Sequence, residues 1–390
     1  MEKKYLAINL GSTSKRYGFY VGDIEVLNLF FQTKGKEYSV LAKFEGVSEE
    51  IKIPKKEFDN SVNFVRDSLI EFKIVQDIRE ISAIGIRIVA PGEYFIRNRV
   101  IDGHYLAELE KAKSDAPLHL GPSIEEIKKI KKILPSIKIV SVSDSAFHYP
   151  LPEKTKLYAI SKSDSKKYGI YRQGYHGLSV ASSVNYLKEN NLLKDKTIVC
   201  HLGGGCSVVA LKNGKSIDTS MGFTPVEGIL GSTRSGDIDA GALIHLGKKL
   251  KLSLLGLENY LNNKSGLKGL TGDEDMRVIL SKSRNGNKDA QKAVDIFVYR
   301  IQKYIGAYAV ALGDLDCIVF TGAMGVGSRY IRSKICEGLK IFGVEIDSKK
   351  NKELEEKEGF IQDNKSKVKI ILIKAREMDE ICRETKKILI

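Results

Sequence analysis

TIVCHLGGGCSVVALKNG, residues 197–214, is an apolar run, a glycine turn and a second apolar run, and YLAINLGSTSKRYGFY, residues 5–20, repeats the arrangement. Branched and aromatic residues on both arms, with small residues at the tip, read as a β-hairpin. A tip of glycine and hydroxyl residues lets backbone N–H groups converge on an anion such as a phosphate. Two copies of this device, far apart in one chain, predict a duplicated α/β domain with a cleft between the halves.

The rest of the chain alternates in the same spirit. Further strands are predicted at 84–89 (IGIRIV), 137–142 (IKIVSV), 316–320 (DCIVF) and 368–373 (VKIILI). Helices are predicted at 61–72, 121–133, 177–190, 289–312 and 377–389. Alternation of this kind gives the α/β class with mixed sheets. A third glycine loop, TGAMGVGS at 321–328, follows the strand 316–320 and precedes a helix-like 329–342, a favourable position for a nucleotide phosphate. The domain break is expected near 149–153 (YPLPE). The first domain then spans 1–150, joined by the C-terminal helix 377–390, and the second spans 151–376.

The bulk numbers narrow the class. A chain of 390 residues is long for one core, so two domains are the better expectation. Hydrophobic content of 42% and charged content of 29% are those of a soluble globular protein. No run of about 18 apolar residues occurs, so no membrane span is expected. MEKKYLAINLG passes from charge straight into a strand without the pattern of a signal peptide. Five scattered cysteines with no CxxC pair suit a reducing cytoplasm. The net charge of +14 attracts anionic substrates or nucleic acid, but no aromatic–basic interleaving of the single-strand-binding kind is present, so no nucleic-acid partner is expected. The lysines at 34–56, 128–132, 248–251 and 349–374 read as solvating helix faces.

One further stretch stands apart. Residues 218–239, DTSMGFTPVEGILGSTRSGDID, pack hydroxyls and carboxylates around four glycines, one proline and a single arginine, Arg234. The segment is too polar for a core element and too punctuated for a linker. A planar fork of donors among hydroxyls is what holds a phosphoryl group.

Taken in order, these landmarks resemble the acetate kinase family (acetate, propionate and butyrate kinases) over nearly the whole chain. The matching segments are NLGSTSKR (9–16), GIRIVAPGE (85–93), APLH (116–119), DSAFH (144–148), GYHGLS (174–179), HLGGGCS (201–207), the stretch 218–239, NKSGLKGLTGDEDMR (263–277), TGAMGVGS (321–328) and residues 375–385. The resemblance implies a duplicated ribonuclease H-like fold of the sugar kinase, actin and heat-shock chaperone ATPase type. It implies a homodimer and phosphorylation of a short carboxylate by Mg-ATP, with Mn²⁺ able to replace Mg²⁺.

It also implies residue roles. Asp144, His176, Arg234 and Arg87 are the catalytic set. Arg87 and His119 meet the substrate, and Val89, Leu118, Tyr175 and Pro225 line its acyl pocket. Nucleotide contacts fall at Ser12, Ser14, Arg16, His201, Leu202, Gly203, Gly204, Gly205, Asp275, Met276, Arg277, Ala323, Met324, Gly325, Val326 and Gly327. Asn9 and Glu377 match the positions used for Mg²⁺.

Elementary chemistry agrees with such a set. A short carboxylate is ionised at neutral pH and needs no general base to attack a γ-phosphate. It needs relief from anion–anion repulsion and stabilisation of charge on the transferring phosphoryl. Arginines and a histidine serve that need. On its residues alone, Arg87 at the end of an apolar strand is either in a structural ion pair or aimed into the cleft, and His176 reads first as a satisfied core histidine, an order that the resemblance reverses.

Several positions depart from the family pattern. Arg16, with Lys15 beside it, stands where the family has lysine. Gly204 replaces an asparagine, which is similar to the butyrate kinase branch, and AMGVG (323–327) replaces GIGEN. Tyr175 replaces phenylalanine. Acetate is the first choice of substrate, propionate is close, and butyrate is the alternative suggested by Gly204. A catalytically weak nucleotide-binding relative is the alternative suggested by the altered 323–327 loop.

Overall fold

Strand order makes the duplication visible. The computed structural model describes residues 2–11, 14–114 and 117–389, and clusters them into two units, Met1–Ala146 with Arg376–Ile390, and Phe147–Ala375. In the first unit the strands are β1 (Lys4–Leu10), β2 (Ser14–Val21), β3 (Ile24–Lys34), β4 (Glu37–Phe44), β5 (Val47–Ile53), β6 (Ile81–Ile88), β7 (Arg99–Val100) and β8 (Ile139–Ser143). They form one sheet in the order β5-β4-β3-β2-β1-β6-β8-β7. The second unit holds β9 (Lys196–Leu202), β10 (Cys206–Lys212), β11 (Lys215–Thr219), β12 (Cys317–Thr321), β13 (Gly359–Phe360) and β14 (Lys369–Leu372), in the order β11-β10-β9-β12-β14-β13.

The cores of the two sheets, β3-β2-β1-β6-β8 and β11-β10-β9-β12-β14, have the same order and the same sense. The second strand runs antiparallel to both neighbours, and the last three run parallel. Both are α/β with mixed sheets, as the paired hairpins predict. In each sheet the strand order reverses next to the first hairpin strand, at β1/β6 and at β9/β12. Open α/β sheets bind ligands beyond the carboxyl ends of strands at such a reversal. The turns NLGSTSKR, HLGGGCS and TGAMGVGS all leave those ends.

The first unit carries an addition that sequence reading missed. β3 to β5 extend the sheet as a meander, and most of the basic stretch 34–56 lies on β4 and β5, with the short helix Lys55–Asp59 after them. Lys43 and Lys52 therefore decorate strands, whereas Lys55 and Lys56 lie on the helix. On β5 every residue but Ile53 is exposed, so no buried face gave the strand an apolar period to read. The core behind β1, β2, β3 and β6 contains Ile8, Tyr17, Phe19, Leu29, Phe31, Ile84 and Ile86, covered by Val65 and Leu69 of helix Ser61–Glu71 and by Ile124 and Ile127 of helix Pro117–Ile133.

Helix Glu377–Leu389 packs on β1, β6 and β8. Its buried Met378, Ile381, Cys382 and Thr385 recur at the spacing of one helical face. Acids in its first turn and Lys386 and Lys387 in its last complement the helix dipole. It comes so close that a Cβ on Gly85 would lie 1.9 Å from Thr385 Oγ1. Glycine in β6 is what permits this approach, and the approach delivers Glu377 to the end of β1.

In the second unit alternate residues of the strands face opposite layers. Ile198, Cys200, Val208, Ile318, Phe320 and Ile370 pack under helix Lys288–Leu312, whose Ala293, Phe297, Ile301 and Ile305 are fully buried. Val199, Val209, Val319 and Ile371 pack under Val180, Val184 and Leu187 of helix Gly177–Glu189. The 321–328 loop closes into a short helix, Gly322–Gly327. The helix after it ends at Glu337, earlier than the predicted 342, with a 3₁₀ turn at Lys340–Phe342. Among the described residues no helix is long and apolar enough to cross a membrane.

Candidate active site

The first unit gathers four polar side chains at the carboxyl ends of β1, β6 and β8. Asp144 directly follows β8, and its backbone N–H donates to Ile88 O of β6 at 3.0 Å. Arg87, next to last in β6, donates from Nε to Asp144 Oδ1 at 3.0 Å and from Nη2 to Oδ2 at 2.9 Å. Its Nη1 donates to Asn9 Oδ1 at 3.1 Å, and Asn9 Nδ2 donates to Glu377 Oε2 at 2.8 Å. Burial disfavours the Arg87 cation, but the carboxylates of Asp144 and Glu377 outweigh it and hold its pKa above the ordinary value. Of the two readings of Arg87, the structure shows the ion pair, at the carboxyl end of β6.

The hairpin β1–β2 sets which base faces this cluster. Register pairs Asn9 with Arg16. Period-two alternation puts Ser14 and Arg16 on one face and Lys15 and Tyr17 on the other. Arg16 is exposed and stacks on Phe30, its guanidinium carbon 4.5 Å from the ring centroid. Lys15 is drawn into the interior, where Nζ meets Glu126 Oε2 at 3.1 Å and Ser61 Oγ at 2.8 Å. Ser12 lies outside the described residues. Leu118 and His119 fall in the first turn of helix Pro117–Ile133, and Val89 is half-buried just past β6.

Asn9 and Glu377 offer an amide and a carboxylate oxygen, both hard donors. Among the described residues no group of three or more His, Cys, Asp or Glu forms a metal site. A divalent ion here would take few protein oxygens and complete its shell with water and phosphate, which is how Mg²⁺ is usually held. The donor chemistry fits that ion.

The second unit converges on the HLGGG turn. A Cβ on Gly205 would lie 3.0 Å from Arg234 Nη1 and 3.2 Å from His176 Nε2, so the guanidinium and the imidazole both border the space over this glycine. The 218–239 stretch is pinned to the turn by Ser232 N–H, which donates to Gly204 O at 2.8 Å. His176 precedes helix Gly177–Glu189 at φ 59°, a left-handed conformation that costs a non-glycine residue on the order of 1 kcal/mol. Its Nδ1 is 3.1 Å from Ser207 Oγ, its ring lies 4.2 Å from that of His201, and His201 Nδ1 is 2.7 Å from Ser179 Oγ. Leu202 is core, while Gly203, Gly204 and Gly205 form the tip.

The profile of the Acetokinase family matches residues 4–383. The chain is 38% identical to the acetate kinase of Pseudothermotoga lettingae, covering 99% of this chain and 97% of that one. The crystal structure of Porphyromonas gingivalis acetate kinase superposes with a TM-score of 0.86 at 34% identity, covering 100% of both chains. That of a propionate kinase from Francisella tularensis superposes at 0.89 with 32% identity over 98% of each. The chain belongs to the acetokinase family. Membership makes it a phosphotransferase, and it fixes the duplicated fold whose sheets are described above.

Other expected contact residues are distributed unevenly in this chain. Asp275 caps helix Met276–Arg284, accepting Arg277 N–H at 2.8 Å, and pairs with the exposed Arg277 side chain at 2.6 Å. Met276 is a core side chain, which leaves only its backbone to meet a ligand. Of the 323–327 loop, Gly325 and Val326 are buried, whereas Ala323 is exposed. The Tyr175 ring is buried and its hydroxyl donates to Phe223 O at 2.8 Å; Pro225 is half-buried on the same loop.

Sequence reading passed over the clamp on that loop. Arg172 donates from Nη1 to Thr219 O at 2.9 Å and from Nη2 to Glu227 Oε1 at 2.5 Å. Tyr158 OH donates to the other Glu227 oxygen and accepts Phe223 N–H at 2.8 Å. An acid inside 218–239 and an arginine four residues before His176 were the available signals.

Proposed function

We propose that this phosphotransferase interconverts acetate and ATP with acetyl phosphate and ADP. The observation that carries the reading is the convergence of Arg234 Nη1 and His176 Nε2 on Gly205 at a strand-order reversal, within a chain similar to acetate kinases along its whole length. A carboxylate oxygen attacks the γ-phosphorus in line, the bond to the β,γ-bridging oxygen breaks, and its electron pair leaves on ADP. Arg234 and His176 offer N–H donors to the equatorial phosphoryl oxygens, where charge builds in the transition state. Arg87, held by Asp144, offsets the charge of the incoming carboxylate. Asn9 and Glu377 would hold Mg²⁺, which when bound neutralises charge on the nucleotide phosphates.

The backbone of the HLGGG and 323–327 loops receives the nucleotide, with Arg16, Ser14, Asp275 and Arg277 as further contacts. The resemblance gives Val89, Leu118, Tyr175 and Pro225 to the acyl group's apolar pocket and His119 to steadying the acid. Such a pocket discriminates one methylene by only about 1–3 kcal/mol, so propionate is the second reading, and likeness to the Francisella propionate kinase favours it over longer acids. We further propose a cytoplasmic homodimer. Five free, buried cysteines support the reducing compartment, and exposed Ile244, Leu254, Leu255, Tyr299 and Val310 in the second unit supply apolar surface for a subunit contact.

Purified chain with Mg-ATP and acetate, propionate or butyrate, trapped with hydroxylamine, tests the reading. Acyl hydroxamate is expected with acetate above the other acids. None with any acid, while ATP binds, would overturn it.

A further inference from the structure

Arg332 is the largest fully buried side chain of the described residues, and no carboxylate bonds it. Its Nη1 donates to Gly325 O at 2.9 Å and to Val326 O at 2.6 Å. Its Nε donates to Asn351 Oδ1 at 2.8 Å and its Nη2 to Asn351 O at 3.1 Å. Asn351 is itself buried, with Nδ2 donating to Arg329 O at 3.0 Å and Ser333 Oγ at 2.9 Å. Glu355, whose charge reaches Arg332, is engaged by Arg329, accepting its backbone N–H at 3.2 Å, and Glu337, five residues on in sequence, is engaged by Lys334 at 2.9 Å. Burial outweighs the charges nearby and depresses the Arg332 pKa to about 10, so the group remains a cation at neutral pH.

A buried cation served only by neutral acceptors is an expensive way to fill space, and an apolar side chain would pack there at lower cost. What an apolar side chain cannot do is hold carbonyls. Gly325 and Val326 lie at the carboxyl end of the short helix Gly322–Gly327, where backbone acceptors lack intrahelical donors and a positive charge is favoured. The guanidinium is a planar spacer with donors on two edges. One edge grips the loop and the other grips Asn351 of helix Ser348–Glu353.

We propose that Arg332, backed by Asn351, is a positioning residue for nucleotide binding, fixing the backbone of the 323–327 loop in its binding shape. The inference rests on the reading that this loop receives the nucleotide. In this chain the loop sequence is AMGVG, whose side chains offer no polar group, so its shape has to come from backbone contacts.

Arg332→Met and Arg332→Lys test the clamp, with Asn351→Leu and Asn351→Asp as the second pair. Affinity for Mg-ADP is measured by direct titration, alongside KM for Mg-ATP, KM for acetate and kcat, all well below each variant's melting temperature. Arg332→Met is expected to raise the ADP Kd and the ATP KM in parallel by about tenfold or more, with acetate KM and kcat changed by no more than about threefold. Lysine, with one short-range point charge, should not restore them. Asn351→Asp keeps an acceptor for Nε and should bind nucleotide more tightly than Asn351→Leu. Wild-type nucleotide affinity in Arg332→Met, or a loss confined to kcat or acetate KM, would overturn the inference. If Arg332→Met does not fold, the Asn351 pair decides, and equal nucleotide affinity in its two members would overturn it. Failure of the wild-type chain to bind ADP would instead remove the reading of the loop, and the inference with it.

Discussion

Arg87 and Asp144 form a two-pronged ion pair at the ends of adjacent parallel strands, with N–O distances of 3.0 and 2.9 Å and Asp144 all but buried. The strand register that pairs Arg87 with Val142 puts the carboxylate, two residues further on, level with the guanidinium head. The pair holds Arg87 while leaving Nη1 to Asn9. Position and charge at this end of the first sheet are therefore set together.

Asp144→Ala leaves a half-buried guanidinium without its main carboxylate. Stability should fall by roughly 2–4 kcal/mol, less than for a wholly isolated cation because Glu377 remains near. The Arg87→Ala, Asp144→Ala double variant should lose clearly less than the sum of the two single losses. Chemical denaturation of the four proteins checks this, and additive losses would contradict the coupling.

Lys15 and Arg16 are adjacent bases with opposite duties. Lys15→Met strips the interior Glu126, whose side chain is 2% exposed, of its cation and should cost about 3 kcal/mol of stability. Arg16→Lys should leave stability within about 0.5 kcal/mol and act on nucleotide affinity instead. Melting curves with and without Mg-ATP separate the two effects.

Neighbouring glycines of the HLGGG turn should respond differently. A Cβ on Gly204 meets no atom within 4 Å, so Gly204→Asn should be accepted with a near-native fold. Gly205→Ala pushes on Arg234 Nη1 and His176 Nε2 together, and should lower kcat by at least about tenfold, the loss expected when positioned donors are displaced. Steady-state kinetics on the two variants checks the order, and equal rates would contradict it.

Burial pushes the thiols of Cys206, Cys317 and Cys336 up to about 12. At pH 8 they should react with a disulfide reagent only on unfolding, after which all five cysteines titrate. The unfolded chain releases these protons near pH 8.5 and the native chain only near 12, so stability should fall progressively above the lower value. Denaturation midpoints between pH 7 and 10 check the sign.

Local chemistry made part of this architecture legible in the sequence. Glycine-tipped turns between apolar runs announce hairpins wherever they occur, so both β1–β2 and β9–β10 can be read, and the strand–loop–helix order around 316–337 with them. β3 to β5 escaped because β5 buries only Ile53 and carries the charged alternation of a solvated edge. The clamps at Arg172 and Arg332 escaped for another reason. Their partners, Glu227 and Asn351, belong to other elements, and only the folded sheet decides that a guanidinium will reach a particular carbonyl. The side taken by Arg16 follows from strand period alone, whereas its stacking on Phe30 does not.

Arg234→Ala measured beside the wild type is the most direct test of the account. Acetyl phosphate formation from acetate and Mg-ATP is followed with hydroxylamine, together with nucleotide affinity and melting temperature. Turnover should fall by about 10³-fold or more, as when an arginine is withdrawn from a phosphoryl transition state, with nucleotide affinity and folding close to wild type. Turnover within a few-fold of wild type would contradict the role assigned to the convergence of Arg234 and His176 on Gly205.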